Sequence, residues 1–242
     1  SLCGRQGRAA GTRHRSDYAV KDHAATDKGV AFHWLIAAGE GRALLAAAGA
    51  HFCLLCGYYM LRSLRETLAL DAGRLQIPNL FSITFLATLL ILPCYWWLVA
   101  RVPRKLLFPA VYSGVIALFL AFAFALARSP GEPLVAAGYF VAVTTLNLFI
   151  ISVFWSVMAD VWRSESAKRL FGFIAAGGSA GALAGPAFNA LFVQRLGLPS
   201  VIVLACIMLC GAIVLGRVAQ RTRAADDRAH IRDLDSGMIQ RV

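Results

Sequence analysis

The sequence predicts an all-α membrane protein, a bundle of six transmembrane helices. Three observations predict it. Apolar residues make up 59% of the 242 positions, and that share leaves out 21 glycines, whereas soluble domains reach about 45–50% with glycine included. Charged residues are 15% of the chain, against about 25% in soluble domains, and the mean hydropathy is +0.65. The apolar residues also gather into six solid runs, each close to the roughly 20 residues that a spanning helix needs. A soluble fold of this size could not hide so much apolar surface. Most enzymes of water-soluble substrates, DNA-binding domains and disulfide scaffolds are excluded on that ground.

The first run is Ala43–Leu61, which ends where Arg62 begins a charged stretch. The second, Leu80–Val99, starts just after Pro78. The third, Leu106–Ala127, follows Arg101-Val102-Pro103-Arg104-Lys105, and the fourth, Leu134–Ala159, follows Ser129-Pro130-Gly131-Glu132-Pro133. The fifth, Leu170–Val193, follows the polar stretch from Arg163 to Arg169, and the sixth, Leu198–Val218, opens at Gly197-Leu198-Pro199. Proline and charge end a membrane helix at its water interface. The runs are solid rather than alternating, so they read as helices and not as barrel strands. The chain divides into a polar tail (1–40), the bundle (41–220) and a second polar tail or linker (221–242), which has too few large apolar residues to fold alone.

The net charge of +11 follows the loops. Lys and Arg number seven, three, three and six in the N-terminal tail, the second loop, the fourth loop and the C-terminal tail, against three, one and one in the first, third and fifth loops. The positive-inside rule then puts both termini in the cytoplasm of a multi-pass inner-membrane protein. The basic residues form no aromatic-studded stripe, so no nucleic-acid partner is expected. Five of six cysteines sit in apolar runs and read as small hydrophobes. His51, Cys53 and Cys56 lack the second pair that a metal site would need, and no metal or cofactor is expected. The first methionine is Met60, so Ser1 reads as something other than the natural start.

Ionisable groups near membrane depth are functional candidates. Arg62, Arg65 and Glu66 close the first run. Arg62 and Glu66 are spaced to pair on a helix, and the guanidiniums of Arg62 and Arg65 fall on neighbouring positions. Such a pair suits a phosphate or carboxylate, while the plainer reading is snorkelling at a helix end. In the fourth run, Asn147, Ser152 and Ser156 are polar points on an apolar helix, followed by Asp160; Lys168 and Arg169 come after the loop. Asp160, Lys168 and Arg169 are expected to serve a cytoplasmic gate as an ion-pair latch. Gly177, Gly181 and Gly185 fall four apart, ahead of Pro186; this is the small-xxx-small pattern that lets membrane helices approach closely. Gly177-Gly178-Ser179-Ala180-Gly181 also fits the G-x-S-x-G pattern of serine hydrolases. No strand–turn–helix context surrounds it, and His51 is the one histidine near a membrane run, so no enzyme is expected.

The stretch from Tyr58 to Glu66 resembles the end of the first helix in the ATP/ADP translocase family, nucleotide exchangers akin to the major facilitator superfamily. Phe154-Trp155, Ala167-Lys168-Arg169 and Phe171-Gly172 resemble the same family's fourth helix, following loop and start of the fifth helix. Gly181-x-x-x-Gly185-Pro186 is similar to part of the facilitator antiporter motif. The resemblance covers roughly residues 43–220. It implies that Arg65 stands at a nucleotide-interacting lysine and Glu66 at an aspartate. Where those exchangers carry an acid in the fourth helix, this chain has Val143-Thr144-Thr145, and the basic loop from Arg101 to Lys105 lacks the facilitator aspartate. The resemblance therefore implies the superfamily more closely than the nucleotide.

Facilitator transporters are two six-helix halves around one central site, so the resemblance makes this chain an N-terminal half, either a fragment or a unit that pairs with a second six-helix half. The expected activity is alternating-access transport of an organic anion or nucleotide-like solute. Arg62, Arg65 and Glu66 would meet the anion, and Asn147 and Ser156 would orient it. The rival expectation is a non-transporting membrane assembly subunit, in which the glycines only pack and the arginines only anchor.

Overall fold

A computed structural model describes residues 40–71, 77–162 and 167–239. The N-terminal tail assigned to 1–40 lies outside the described residues apart from Glu40. The chain divides into units Ser1–Arg42 and Ala43–Val242, and the second holds the bundle. Six helices follow one another: α1 Glu40–Asp71, α2 Ile77–Arg101, α3 Arg104–Arg128, α4 Pro133–Val161, α5 Ala167–Leu196 and α6 Leu198–Ile239. Among the described residues these six are long and apolar enough to cross a membrane, and the chain is of the multi-pass membrane type.

The helix boundaries follow local chemistry. Pro103 caps α3 and Pro133 opens α4, positions where a missing N–H costs nothing. Gly197, at φ +76°, is the whole connection between α5 and α6. A left-handed residue closes a helix C-terminus, and glycine takes that conformation without penalty. Two boundaries differ from the sequence expectation. The first helix does not stop at Leu61 but continues through Arg62, Arg65 and Glu66 to Asp71. Leu61, Leu64 and Leu68 are buried at helical spacing, so a packed stripe carries the helix past its charged residues. The stretch 221–239, expected as a linker, extends α6; it offers no proline and no glycine before Gly237.

Neighbouring helices alternate in direction. On α3 and α4, Tyr112 bonds the carbonyl of Ile150 while Phe119 meets Tyr139, an antiparallel register. α1 and α5 run parallel, since Gly177, Gly181 and Gly185 face the backbone of Ala48, Phe52 and Cys56 in turn. One end of the bundle therefore gathers the end of α1, the start of α2 and the α3–α4 and α5–α6 connections, and the other gathers the basic α2–α3 corner.

α1 is the innermost helix. It meets α5 along the glycine seam, α6 where Gly57 backs onto the carbonyl of Ala205, and α4 where the Tyr139 hydroxyl donates to the carbonyl of Leu61 at 3.0 Å. α2 lies at the periphery. It touches α4 through Phe81–Phe140 and Tyr95–Phe149, and exposes Phe85, Leu86, Leu90, Trp96 and Trp97.

Buried phenols must find acceptors where no water reaches. Tyr112 is fully buried and donates to Ile150 O at 2.7 Å. Tyr112→Phe is expected to lose this one bond and leave the ring in place, costing about 0.5–1.5 kcal/mol. Thermal unfolding in detergent checks it, with a fall of a few degrees expected, about 2–4 °C per kcal/mol.

Candidate functional site

The candidate site begins with Arg65. Its side chain is 15% exposed, although it sits on a helix read as membrane-spanning. Six residues separate it from the end of α1 at Asp71, about 9 Å of helix. Its guanidinium reaches across to α4 and lies over the Phe140 ring, 5.0 Å from the centroid. Nη1 donates to Thr144 Oγ1 at 2.9 Å, and that hydroxyl donates onward to the Phe140 carbonyl at 2.7 Å. Nη2 pairs with Glu66, whose side chain is 61% exposed. Nε is buried with no partner among the described residues.

This arrangement holds a cation on a frame and leaves it undersupplied with acceptors. A guanidinium carries five N–H donors. Here one goes to a neutral hydroxyl and one to a carboxylate that water can reach. An arriving carboxylate or phosphate could displace Glu66 and find the fork already oriented.

The predicted site residues separate in the structure. Arg62 does not pair with Glu66: it is exposed and lies over Tyr59, 5.5 Å from the ring centroid. Arg65 takes Glu66 instead because its side chain turns into the α1–α4 crevice while that of Arg62 turns out. The two guanidiniums therefore do not form one fork. Asn147 is half-buried on α4, three residues beyond Thr144. Ser156 is exposed and twelve residues beyond it, about 18 Å along the helix, so it does not join Arg65. Ser152 is also exposed and with Ser156 forms a polar stripe on α4.

The predicted gate is described in part. Asp160 is half-buried in the last turn of α4 and engaged with a partner. The side chains of Lys168 and Arg169 lie outside the described residues, so the expected latch does as well. The glycines are described in full. A Cβ on Gly177 would come to 2.6 Å of the Ala48 carbonyl, one on Gly185 to 2.6 Å of the Cys56 carbonyl, and one on Gly181 into the Phe52 carbonyl. Pro186 sits inside α5 one residue past the seam, exposed.

One buried group, Asn189, was passed over at the sequence level, and another, His51, was weighed without its packing role. Asn189 of α5 donates to the Met60 carbonyl at 2.7 Å and to Ser63 Oγ, while its Oδ1 has no partner among the described residues. Its signal was a lone amide in an apolar run, equal in kind to Asn147. His51 has Nδ1 2.9 Å from the Ile174 carbonyl, stacks on Phe154 at 4.4 Å and packs against Gly178. Ser179 is exposed and donates to Ala175 O of its own helix. The structure thus turns His51 toward Gly178 and does not bring it to the serine of the G-x-S-x-G stretch.

Comparison with family models, with curated proteins and with solved structures finds no match to this chain.

Proposed function

We propose that this chain is one six-helix half of a secondary transporter that moves an organic anion by alternating access. The observation that carries the reading is Arg65: a cation kept largely out of water on a membrane-spanning helix, with its buried Nε unpaired among the described residues and an exposed carboxylate as its exchangeable partner. Charge at such a position is costly and marks a substrate or ion path by default. Glu66 acts as the resting counter-ion, the solute displaces it, and Asn147 lies one turn along α4 to offer an amide. The loop charges orient the basic α2–α3 corner and both chain ends toward the cytoplasm of the inner membrane, which places Arg65 near the opposite face. The α1–α5 seam, backbone against backbone, makes those helices move as one body when the bundle rocks against a second half.

The nucleotide-exchanger resemblance of Tyr58 to Glu66 supports an anionic cargo, and nucleotides belong in the first panel tried. A second reading has its own support: the wide apolar face of α2 (Phe85, Leu86, Leu90, Trp96) suits a subunit that only assembles with others. Proteoliposomes made with the protein from its full reading frame decide between them. Uptake of at least one labelled organic anion is expected, and Arg65→Ala is expected to cut it by about tenfold or more, the loss of roughly 1.4 kcal/mol or more of anion interaction. Uptake unchanged by Arg65→Ala removes the anion role. No uptake of any anion by a well-folded protein favours the assembly reading.

A further inference from the structure

At the other end of the bundle, α2 and α3 leave a two-residue corner, Val102-Pro103, and separate. Between them and α4 lies a groove of about 730 Å³, within the range of small-molecule sites. Its walls include Ile91, Trp97, Val111, Leu118, Leu146 and Phe149, and almost all of its surface is apolar. Two sequence features open it. Pro93 lines it and cannot donate a backbone bond within α2. Gly114 lines it from α3, where an added Cβ would meet nothing within 4 Å. On α2 the groove is lined from Leu98 back to Ile91, seven residues or about 10 Å of helix.

A cation stands at its mouth. The Arg101 guanidinium lies over the ring of Trp97, 5.5 Å from the centroid, and Trp97 is itself a wall of the groove. Arg104 and Lys105 follow within four residues. An apolar slot at membrane depth that ends in a fixed positive charge has the polarity of a phospholipid seen from tail to head.

The geometry points to a binding site for an anionic phospholipid, with one acyl chain in the α2–α3–α4 groove and the phosphate at Arg101. The Trp97 ring marks the level of the headgroup, as aromatic side chains do at membrane interfaces, and the guanidinium above it meets the phosphate. The acyl chain fills the wedge that Gly114 leaves open and ties the peripheral helix α2 to the rest of the bundle. This site is at the opposite end from Arg65 and does not rest on the transport reading.

The test uses the full chain, purified and stripped of lipid, then incubated with phosphatidylglycerol or phosphatidylcholine of identical acyl chains. Native mass spectrometry reads retention and thermal unfolding reads stabilisation. Phosphatidylglycerol is expected to be retained about fivefold better, the ratio that one cation contributes near a membrane surface, and to raise the unfolding temperature more. Arg101→Gln is expected to erase the preference while leaving retention of both lipids. Gly114→Leu is expected to lower retention of both and, since an added Cβ there meets nothing within 4 Å, to keep the fold, which an unchanged elution profile checks. Equal retention of the two lipids by the parent protein overturns the headgroup assignment. Retention untouched by Gly114→Leu overturns the groove. Efficient disulfide cross-linking between copies through Cys94, which is exposed and lines the groove, would show a second chain seated there instead.

Discussion

Gly181→Leu is expected to abolish folded protein, leaving aggregate or nothing in fluorescence-detected size-exclusion chromatography. The reason is what the new side chain would meet. The Cβ alone would run into the carbonyl of Phe52, and that carbonyl belongs to the backbone of α1, the helix at the centre of the bundle. A side chain can swing aside, but a helix backbone cannot. Overpacking a core costs about 1–3 kcal/mol when neighbours can adjust; here the adjustment is separation of two helices. Moving α5 away also loosens Gly177 from Ala48 and Gly185 from Cys56, and stretches the His51–Ile174 and Asn189–Met60 bonds. In lipid, no hydrophobic force pushes helices back together, because acyl chains are as apolar as leucine, so close packing is itself the attraction. Gly172→Ala is the matched control. It lies on the same helix, a Cβ there meets nothing within 4 Å, and alanine gains up to about 1 kcal/mol of helix propensity. If Gly181→Leu elutes as a single sharp peak and unfolds within about 2 °C of the parent, the seam does not hold the bundle.

The contrast between those two glycines measures what can be read from a sequence of this kind. The six helices were legible because lipid sets a length and prolines and charges mark the ends. The spacing of Gly177, Gly181 and Gly185 was legible too, but the identity of the facing backbone was not. In water, polar residues mark the outside of a helix. In lipid, the outside is as apolar as the core, so the exposed Phe85 and Leu90 of α2 and the buried Leu54 and Leu61 of α1 look alike in the sequence. The charged cluster suffered in the same way. Spacing along α1 suggests Arg62 with Glu66, yet the Arg65 guanidinium is fixed by Phe140 and Thr144, more than seventy positions later. Asn189 and Asn147 are each one amide in an apolar run, and only the packing shows that the first ties α5 to α1 while the second stands half-buried on α4.

Arg65→Met is expected to abolish anion uptake and at the same time to raise the unfolding temperature. The two effects come from one cause. In this protein the guanidinium is mostly withdrawn from water, its buried Nε has no acceptor among the described residues, and its counter-ion is exposed. Replacing buried ions by apolar groups of similar shape is often neutral or stabilising by about 1–4 kcal/mol. The gain here belongs at the low end, since the arene contact with Phe140 is itself worth about 0.5–2 kcal/mol and a methionine recovers only its packing. About 1 kcal/mol of net gain corresponds to a rise of about 2–4 °C. Glu66, freed of its partner, is already hydrated and adds little cost. Arg65→Lys is expected to fall between parent and Arg65→Met in uptake, because an ammonium keeps the charge but not the two-pronged fork. A purely structural arginine behaves in the opposite way: Arg65→Met then loses the Thr144 bond and the ring contact, and the unfolding temperature falls while the bundle weakens. The sign of the temperature shift, read beside uptake, therefore separates a residue retained at a cost in stability for its charge from one retained because it holds α1 to α4.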